Sequence, residues 1–122
     1  MDKFAIVLGE PNSINSEILI KSIASKKKCV IIGNFNLLKS QLKILKLKKQ
    51  LVKINNINEF VHSKNKLIVL NVNLNFQNSF KVSSKESSKY LLKCFNIAHV
   101  LAKKKKIKGF INCAINKKNL FK

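Results

Sequence analysis

Two short segments of the chain carry residues that could bind a small polar or anionic molecule. Glu10 stands in a Gly-Glu-Pro turn directly after an apolar run, and Lys117 and Lys118 follow another apolar run late in the sequence. A carboxylate accepts hydrogen bonds from ligand hydroxyl groups, and a lysine ammonium meets a phosphate as a point charge. A loop between a strand and a helix also directs backbone N–H groups at an anion. The alternative is an ordinary turn in which Glu10 pairs with a nearby lysine and the two lysines are solvated.

The sequence contains none of the common catalytic motifs. It has no Gly-x-Gly-x-x-Gly, no Gly-Lys-Ser/Thr, no Gly-x-Ser-x-Gly and no His-Glu-x-x-His. His62 and His99 lack metal-ligand spacing, and Cys29, Cys94 and Cys113 form no Cys-x-x-Cys pair. We therefore expect no catalytic residue and no metal ligand in this chain, and we expect its cysteines to be reduced and mostly buried.

The charge of the chain is extreme, but it comes entirely from lysine. There are 25 cationic side chains, none of them arginine, against 5 carboxylates, which gives a net charge of +20. Proteins that bind phosphates and base edges favour the guanidinium fork of arginine, and the lysines are dispersed along the chain, so nucleic acid is not the favoured partner. No apolar run approaches the roughly 20 residues of a membrane span, and no secretory signal is visible, so we expect a cytoplasmic protein.

The hydrophobic pattern predicts alternating strands and helices. Short apolar runs predict strands at 4–8, 29–32, 51–54, 67–70 and 109–112. Helical spacing predicts helices from Asn12 or Ser13 to the Lys26 cluster, from Asn34 or Asn36 to about 47, and from about 84 to 103. A short turn is predicted around 60–61. This alternation favours one α/β domain over 1–122, with a mostly parallel sheet covered by helices on both faces.

In such sheets, ligands bind beyond the carboxyl ends of the strands. The segments 9–17 and 112–118 follow the first and fifth predicted strands. We therefore expect Glu10 and Lys117 to lie at neighbouring strand tips, facing one small anionic molecule.

The same two segments resemble 4-hydroxythreonine-4-phosphate dehydrogenase, an enzyme family of pyridoxal phosphate biosynthesis. Residues 4–17 are similar to the family's first strand and its Gly-Asp/Glu-Pro-Ala-Gly-Ile-Gly-Pro-Glu loop, with matches at Gly9, Glu10, Pro11, Ile14 and Glu17. Residues 111–120 are similar to the family's Thr-Ala/Gly-Pro-Ile-Asn-Lys segment, with matches at Ile115, Asn116 and Lys117. The family's two glycines and proline are replaced by Ser13, Asn15 and Ser16, and a second proline is replaced by Ala114.

The resemblance implies an incomplete isocitrate/isopropylmalate dehydrogenase-like fold. It implies NAD-dependent oxidation and decarboxylation of a small phosphorylated substrate, assisted by a divalent metal, in a homodimer with its active site between two α/β subdomains. Glu10, Asn116 and Lys117 would bind substrate or cofactor. The family's metal-binding histidines correspond to neither His62 nor His99 and lie beyond the part of the family that this chain resembles.

The leading hypothesis is that the chain is an N-terminal portion or truncated copy of such a dehydrogenase, inactive alone. The alternative is a small lysine-rich module that binds nucleic acid or another polyanion. A third interpretation is a fragment that docks onto a separate C-terminal chain.

Overall fold

The protein is described by a computed structural model that covers residues 3–9, 11, 28–62 and 65–112. These residues contain five strands: β1 (Phe4–Val7), β2 (Cys29–Gly33), β3 (Gln50–Ile54), β4 (Lys66–Asn71) and β5 (Phe110–Asn112). They also contain two α-helices, α1 (Phe35–Ile44) and α2 (Ser84–Lys103). The predicted helix before β2 lies outside the described residues. Neither α1 nor α2 is long and apolar enough to cross a membrane.

The five strands form one sheet in the order β3-β4-β2-β1-β5, and all four pairings between them are parallel. In the centre, Val7 of β1 lies opposite Ile32 of β2 on one side and opposite Asn112 of β5 on the other. The predicted α/β fold with a parallel sheet is therefore confirmed. The sequence pattern placed all five strands to within about one residue of their observed ends.

Alternate residues of the strands build a separate hydrophobic cluster on each face of the sheet. One cluster joins Ala5, Val7, Val30 and Ile32 to α2 through buried residues such as Cys94 and Ala98. The other joins Ile6, Leu8, Ile31 and Val69 to Leu38 and Leu42 of α1. Because successive side chains of a strand point to opposite faces, a continuous apolar run such as 4–8 supplies both clusters. The two helices therefore cover opposite faces of the sheet, as predicted.

The helix starts agree with the predicted caps. Asn34 caps α1 by accepting a hydrogen bond from the Leu37 N–H at 2.8 Å, and Ser83 Oγ accepts one from the Glu86 N–H at 3.2 Å at the start of α2. The buried face of α2 contains Ser87, Leu91, Cys94, Ala98 and Leu101, which recur at helical spacing in the sequence. The predicted turn at 60–61 is wrong by a few residues, because a 3-10 turn forms at Ile57–Glu59, where Asn56 accepts a hydrogen bond from the Asn58 N–H.

Helix α1 ends at Ile44 rather than at about 47, because the backbone turns left-handed at Lys46, where φ is 57°. The Leu47 N–H then donates to the Leu42 carbonyl at 2.9 Å, which closes the helix end. Lys105 repeats this geometry after α2, with φ of 59°, and the Lys106 N–H donates to the Leu101 carbonyl at 2.9 Å. Glycine is the residue that usually occupies this position. Both helix ends therefore place a lysine in a backbone conformation that is unfavourable for side chains with a Cβ.

A buried polar network joins the ends of β2 and β4 to α2. The Asn34 N–H donates to the Tyr90 hydroxyl at 2.8 Å, and the Asn34 side-chain amide donates to the Val72 carbonyl at 2.8 Å. Burial raises the pKa of Tyr90 well above its usual value, and it raises the pKa of the neighbouring Cys94 thiol to about 12. A Cβ at Gly33 would lie only 2.8 Å from the Tyr90 hydroxyl oxygen. Gly33 therefore leaves the space in which that hydroxyl reaches Asn34.

Replacing Lys46 by glycine should stabilise the protein. Glycine adopts the left-handed conformation without steric cost, so Lys46→Gly should raise the free energy of unfolding by about 1 kcal/mol, measured by urea denaturation. Lys48→Gly is the matched control, since Lys48 is exposed and does not have a positive φ. A loss of stability in Lys46→Gly equal to that of the control would contradict the prediction.

Gly33→Ala and Tyr90→Phe should each destabilise the fold, but their costs should not add. The first forces a methyl group against the Tyr90 hydroxyl, and the second leaves the buried Asn34 N–H without its acceptor, each costing about 1–3 kcal/mol. In the double variant the clashing oxygen is absent, so the combined cost in urea denaturation should fall short of the sum by about 1 kcal/mol.

Gly109→Ala is the control for this cycle, because nothing lies within 4 Å of a Cβ at Gly109. It should leave stability unchanged in either background. Strict additivity of Gly33→Ala and Tyr90→Phe would show that the hydroxyl does not determine the need for glycine at this position.

Candidate functional site

The structure makes β1 and β5 neighbours, so the two sequence motifs begin at the same edge of the sheet. Val7 and Asn112 are direct partners in parallel strands, so β1 and β5 both end at the carboxyl edge of the sheet. Glu10 comes three residues after Val7, and Asn116 and Lys117 come four and five residues after Asn112. Glu10, Asn116 and Lys117 themselves lie outside the described residues, so the placement of their side chains stays a prediction.

The chain leaves β1 through a turn that requires glycine. Gly9 has φ of 85°, a left-handed value that residues with a Cβ rarely adopt. Just before it, the Leu8 N–H still donates to the Ile32 carbonyl of β2 at 3.3 Å. The turn therefore begins immediately after the last hydrogen bond between β1 and β2. Gly9 is also the first residue of the Gly-Glu-Pro motif, so this match has a structural reason.

Gln41 of α1 forms a hydrogen bond with Pro11, on the far side of the same turn. Its side-chain amide donates to the Pro11 carbonyl at 2.6 Å and to the Ser79 carbonyl at 2.8 Å, and the side chain is only 2% exposed. Leu8, two residues before Glu10, is thus bonded to the sheet, and Pro11, directly after Glu10, is bonded to α1. Gln41 lies within the helix predicted from Asn34 or Asn36 to about 47, and the sequence assigns it no role. The available signal was a polar residue at a buried position between Leu38 and Leu42.

The crevice between β2 and β4 is filled by protein groups. When the segments that follow two adjacent strands pass to opposite faces of a sheet, a crevice opens between them and commonly binds ligands. Here β2 leads to α1 on one face, and β4 leads through residues 72–83 to α2 on the other face. Here the Asn34 side chain bonds to Val72, and the Phe35 N–H donates to Asn71 Oδ1 at 2.9 Å. With this crevice closed, we take the tips of β1 and β5 as the candidate site, because the two sequence motifs follow these strands.

A groove of about 600 Å³ opens at the same edge, beside the segment that connects β4 to α2. Its walls include Asn36 in the first turn of α1, Ser83 at the start of α2, and Lys81. Both helix starts carry a partial positive charge, which adds to the charge of Lys81. The electrostatics of this edge therefore favour a negatively charged ligand.

Within the described part of the chain, the titratable residues do not form a metal centre. No group of three or more His, Cys, Asp or Glu side chains lies close enough there to hold a metal ion. The exposed His99 packs edge-on against Phe110, with ring centroids 5.0 Å apart.

Cys29 and Cys94 are buried outside any disulfide, as predicted, and burial raises the pKa of both thiols. A protonated thiol is a poor nucleophile, so neither residue suits covalent catalysis. Cys113 lies outside the described residues.

Comparison with known proteins identifies this fold among solved structures. No protein-family model and no curated protein sequence matches the chain. A crystal structure of 4-hydroxythreonine-4-phosphate dehydrogenase from Klebsiella pneumoniae matches 98% of the chain with a TM-score of 0.86 and 23% sequence identity. A crystal structure of the enzyme from Burkholderia phymatum matches 97% of the chain with a TM-score of 0.84 and 18% sequence identity. A Salmonella typhimurium structure that bears the same enzyme name matches 98% of the chain with a TM-score of 0.83 and 22% sequence identity.

The match covers only part of each of these proteins. The chain spans 39% of the Klebsiella chain, 38% of the Burkholderia chain and 40% of the Salmonella chain. At these identities the likeness concerns the fold. The resemblance indicated by the two motifs is confirmed at that level: the chain has the α/β fold of the N-terminal portion of a 4-hydroxythreonine-4-phosphate dehydrogenase.

Proposed function

We propose that this chain supplies one wall of the active site of a 4-hydroxythreonine-4-phosphate dehydrogenase, at the tips of β1 and β5. The observation that carries the proposal is the pairing of these strands, with Val7 opposite Asn112. It directs two segments that match the family's motifs out of the same sheet edge. The likeness to solved dehydrogenase structures over nearly the whole chain supports the same assignment.

Each candidate residue has a chemical role in this proposal. Lys117 attracts the substrate phosphate as a point charge, Asn116 hydrogen-bonds to it or to the cofactor, and Glu10 accepts a hydrogen bond from a substrate hydroxyl group. Gln41 acts as a positioning residue, because it bonds to the carbonyl of Pro11 and so orients the backbone around Glu10.

The reaction also needs NAD and a divalent metal, which the family resemblance implies. The described residues offer no metal-binding cluster, so the metal would need ligands from outside them. NAD would accept the hydride, and the metal would polarise the substrate oxygen. We propose that this chain binds and orients substrate but does not complete the reaction alone, and that the complete enzyme is a homodimer.

Titration of the ¹⁵N-labelled chain with 4-hydroxythreonine 4-phosphate should locate the site. Backbone amide shifts should change around Leu8, Gly9 and Ile111, at the tips of β1 and β5.

Lys117→Ala should weaken binding about tenfold, because a charge-assisted hydrogen bond contributes about 1.5–3 kcal/mol. Gln41→Leu should reduce the response at Gly9, because the turn loses its anchor.

Lys118→Ala is the matched control, since it removes the same charge from the adjacent position. Equal weakening by Lys117→Ala and Lys118→Ala would contradict a specific role for Lys117. Shift changes spread over lysines of the whole surface, vanishing steeply with salt, would instead support general binding of polyanions.

The 122-residue chain should form no NADH when incubated with 4-hydroxythreonine 4-phosphate, NAD and Mg²⁺, followed by the absorbance of NADH. The physical reason is that an activating metal needs several ligands held together. The complete Klebsiella enzyme serves as the positive control. Steady turnover by the chain alone would refute the proposal that it provides only part of the site.

A further inference from the structure

A second cavity lies away from the tips of β1 and β5. It is a groove of about 590 Å³ between α1 and the beginning of β3, at the other end of the strand order. We call it the lysine-rimmed groove. Two strands, β4 and β2, separate β3 from β1, so this groove is distinct from the site proposed above.

The floor of the lysine-rimmed groove is apolar. It is formed by Phe35 and Leu42 of α1, Leu47 after that helix, and Leu51 and Val52 of β3. Leu42 is only 3% exposed, whereas the other four are half-buried and still present apolar surface to the groove. Covering that surface with an apolar group is favourable, because it removes hydrocarbon from water.

The rim of the groove is cationic. Lys39 and Lys43 stand one turn apart on α1, Lys48 and Lys49 follow that helix, and Lys66 begins β4. No carboxylate is among the described lining residues. Residues four apart on a helix have neighbouring side chains, so Lys39 and Lys43 can act on one anionic group together. The groove therefore pairs an apolar floor with a rim that is positively charged among the described residues.

We propose that the lysine-rimmed groove binds a small amphipathic anion, whose apolar body lies on the Leu47 and Leu51 side chains and whose carboxylate or phosphate contacts the lysines. The volume is within the range of small-molecule sites, roughly 300–1,000 Å³. Charge complementarity selects an anion over a neutral or cationic ligand. It also opposes a second copy of this chain, because a symmetric contact would bring five lysines against the same five lysines.

Decanoate, used below its micelle concentration, is a suitable probe. Added to the ¹⁵N-labelled chain, it should shift the amides of α1 and of residues 47–52, and leave the tips of β1 and β5 unchanged. Dodecanoate should bind more tightly, by about twofold to fourfold for each added CH₂ group that is covered. Raising the salt concentration should weaken binding, because these charges are exposed.

The double variant Lys39→Glu/Lys43→Glu should lower decanoate affinity at least tenfold. Its matched control is Lys85→Glu/Lys89→Glu, an exposed pair with the same spacing on α2, which covers the opposite face of the sheet. The control changes net charge equally, so it should weaken binding by less than threefold. Leu47→Ala should also weaken binding, whereas Leu92→Ala, at a 57% exposed position on α2, should not.

Several results would overturn the proposal. Equal binding of decyltrimethylammonium would show that charge is irrelevant, and equal loss in the two charge-reversal variants would show that only net charge matters. Shifts in the groove caused by a ten-nucleotide thymidine strand but not by decanoate would assign the surface to nucleic acid instead. No response to decanoate at millimolar concentration would also refute it. Because the probe carries no substrate group, these outcomes are independent of substrate binding at β1 and β5.

Discussion

Asn34 is the point at which the described elements depend on one another. Its N–H donates to Tyr90, its side-chain amide donates to Val72, its side-chain oxygen accepts from Leu37, and its carbonyl accepts from Leu38. The residue is 5% exposed, so any of these groups left unpaired would cost the full desolvation penalty. A single buried asparagine thus sets the start of α1, the exit from β4 and the position of α2 together.

This network closes one place where a ligand could otherwise bind. The crevice between β2 and β4 is the usual opening in a sheet of this kind, and here Asn34, Val72 and the Tyr90 hydroxyl occupy it. On the other side of β2, the carboxyl tips of β1 and β5 are held in direct register at Val7 and Asn112. Gln41 then connects α1 to the turn after β1 through the Pro11 carbonyl. The same helix that packs on one face of the sheet therefore also orients the candidate site.

The excess of lysine leaves the core unchanged and acts at the surface. Both hydrophobic clusters are built mainly from aliphatic residues, while most of the described lysines occupy exposed positions, including the left-handed turns after α1 and α2. Around most of the molecule these ammonium groups are solvated. Beside α1 they surround an apolar floor instead, and the proposed binding of an amphipathic anion rests on this combination.

The sequence by itself determined the local elements and the type of fold. Ser83 and Glu86 mark the start of α2, Asn34 marks the start of α1, and the apolar runs mark the strands, because caps and periodicity are properties of neighbouring residues. Periodicity shows which face of an element is buried but not what covers it. The strand order, the pairing of β1 with β5, the acceptor role of Tyr90 and the contacts of Gln41 with Pro11 and Ser79 were therefore decided only by the tertiary structure. The pairing of β1 with β5 and these side-chain contacts join residues at least 30 positions apart, and no local pattern encodes such contacts.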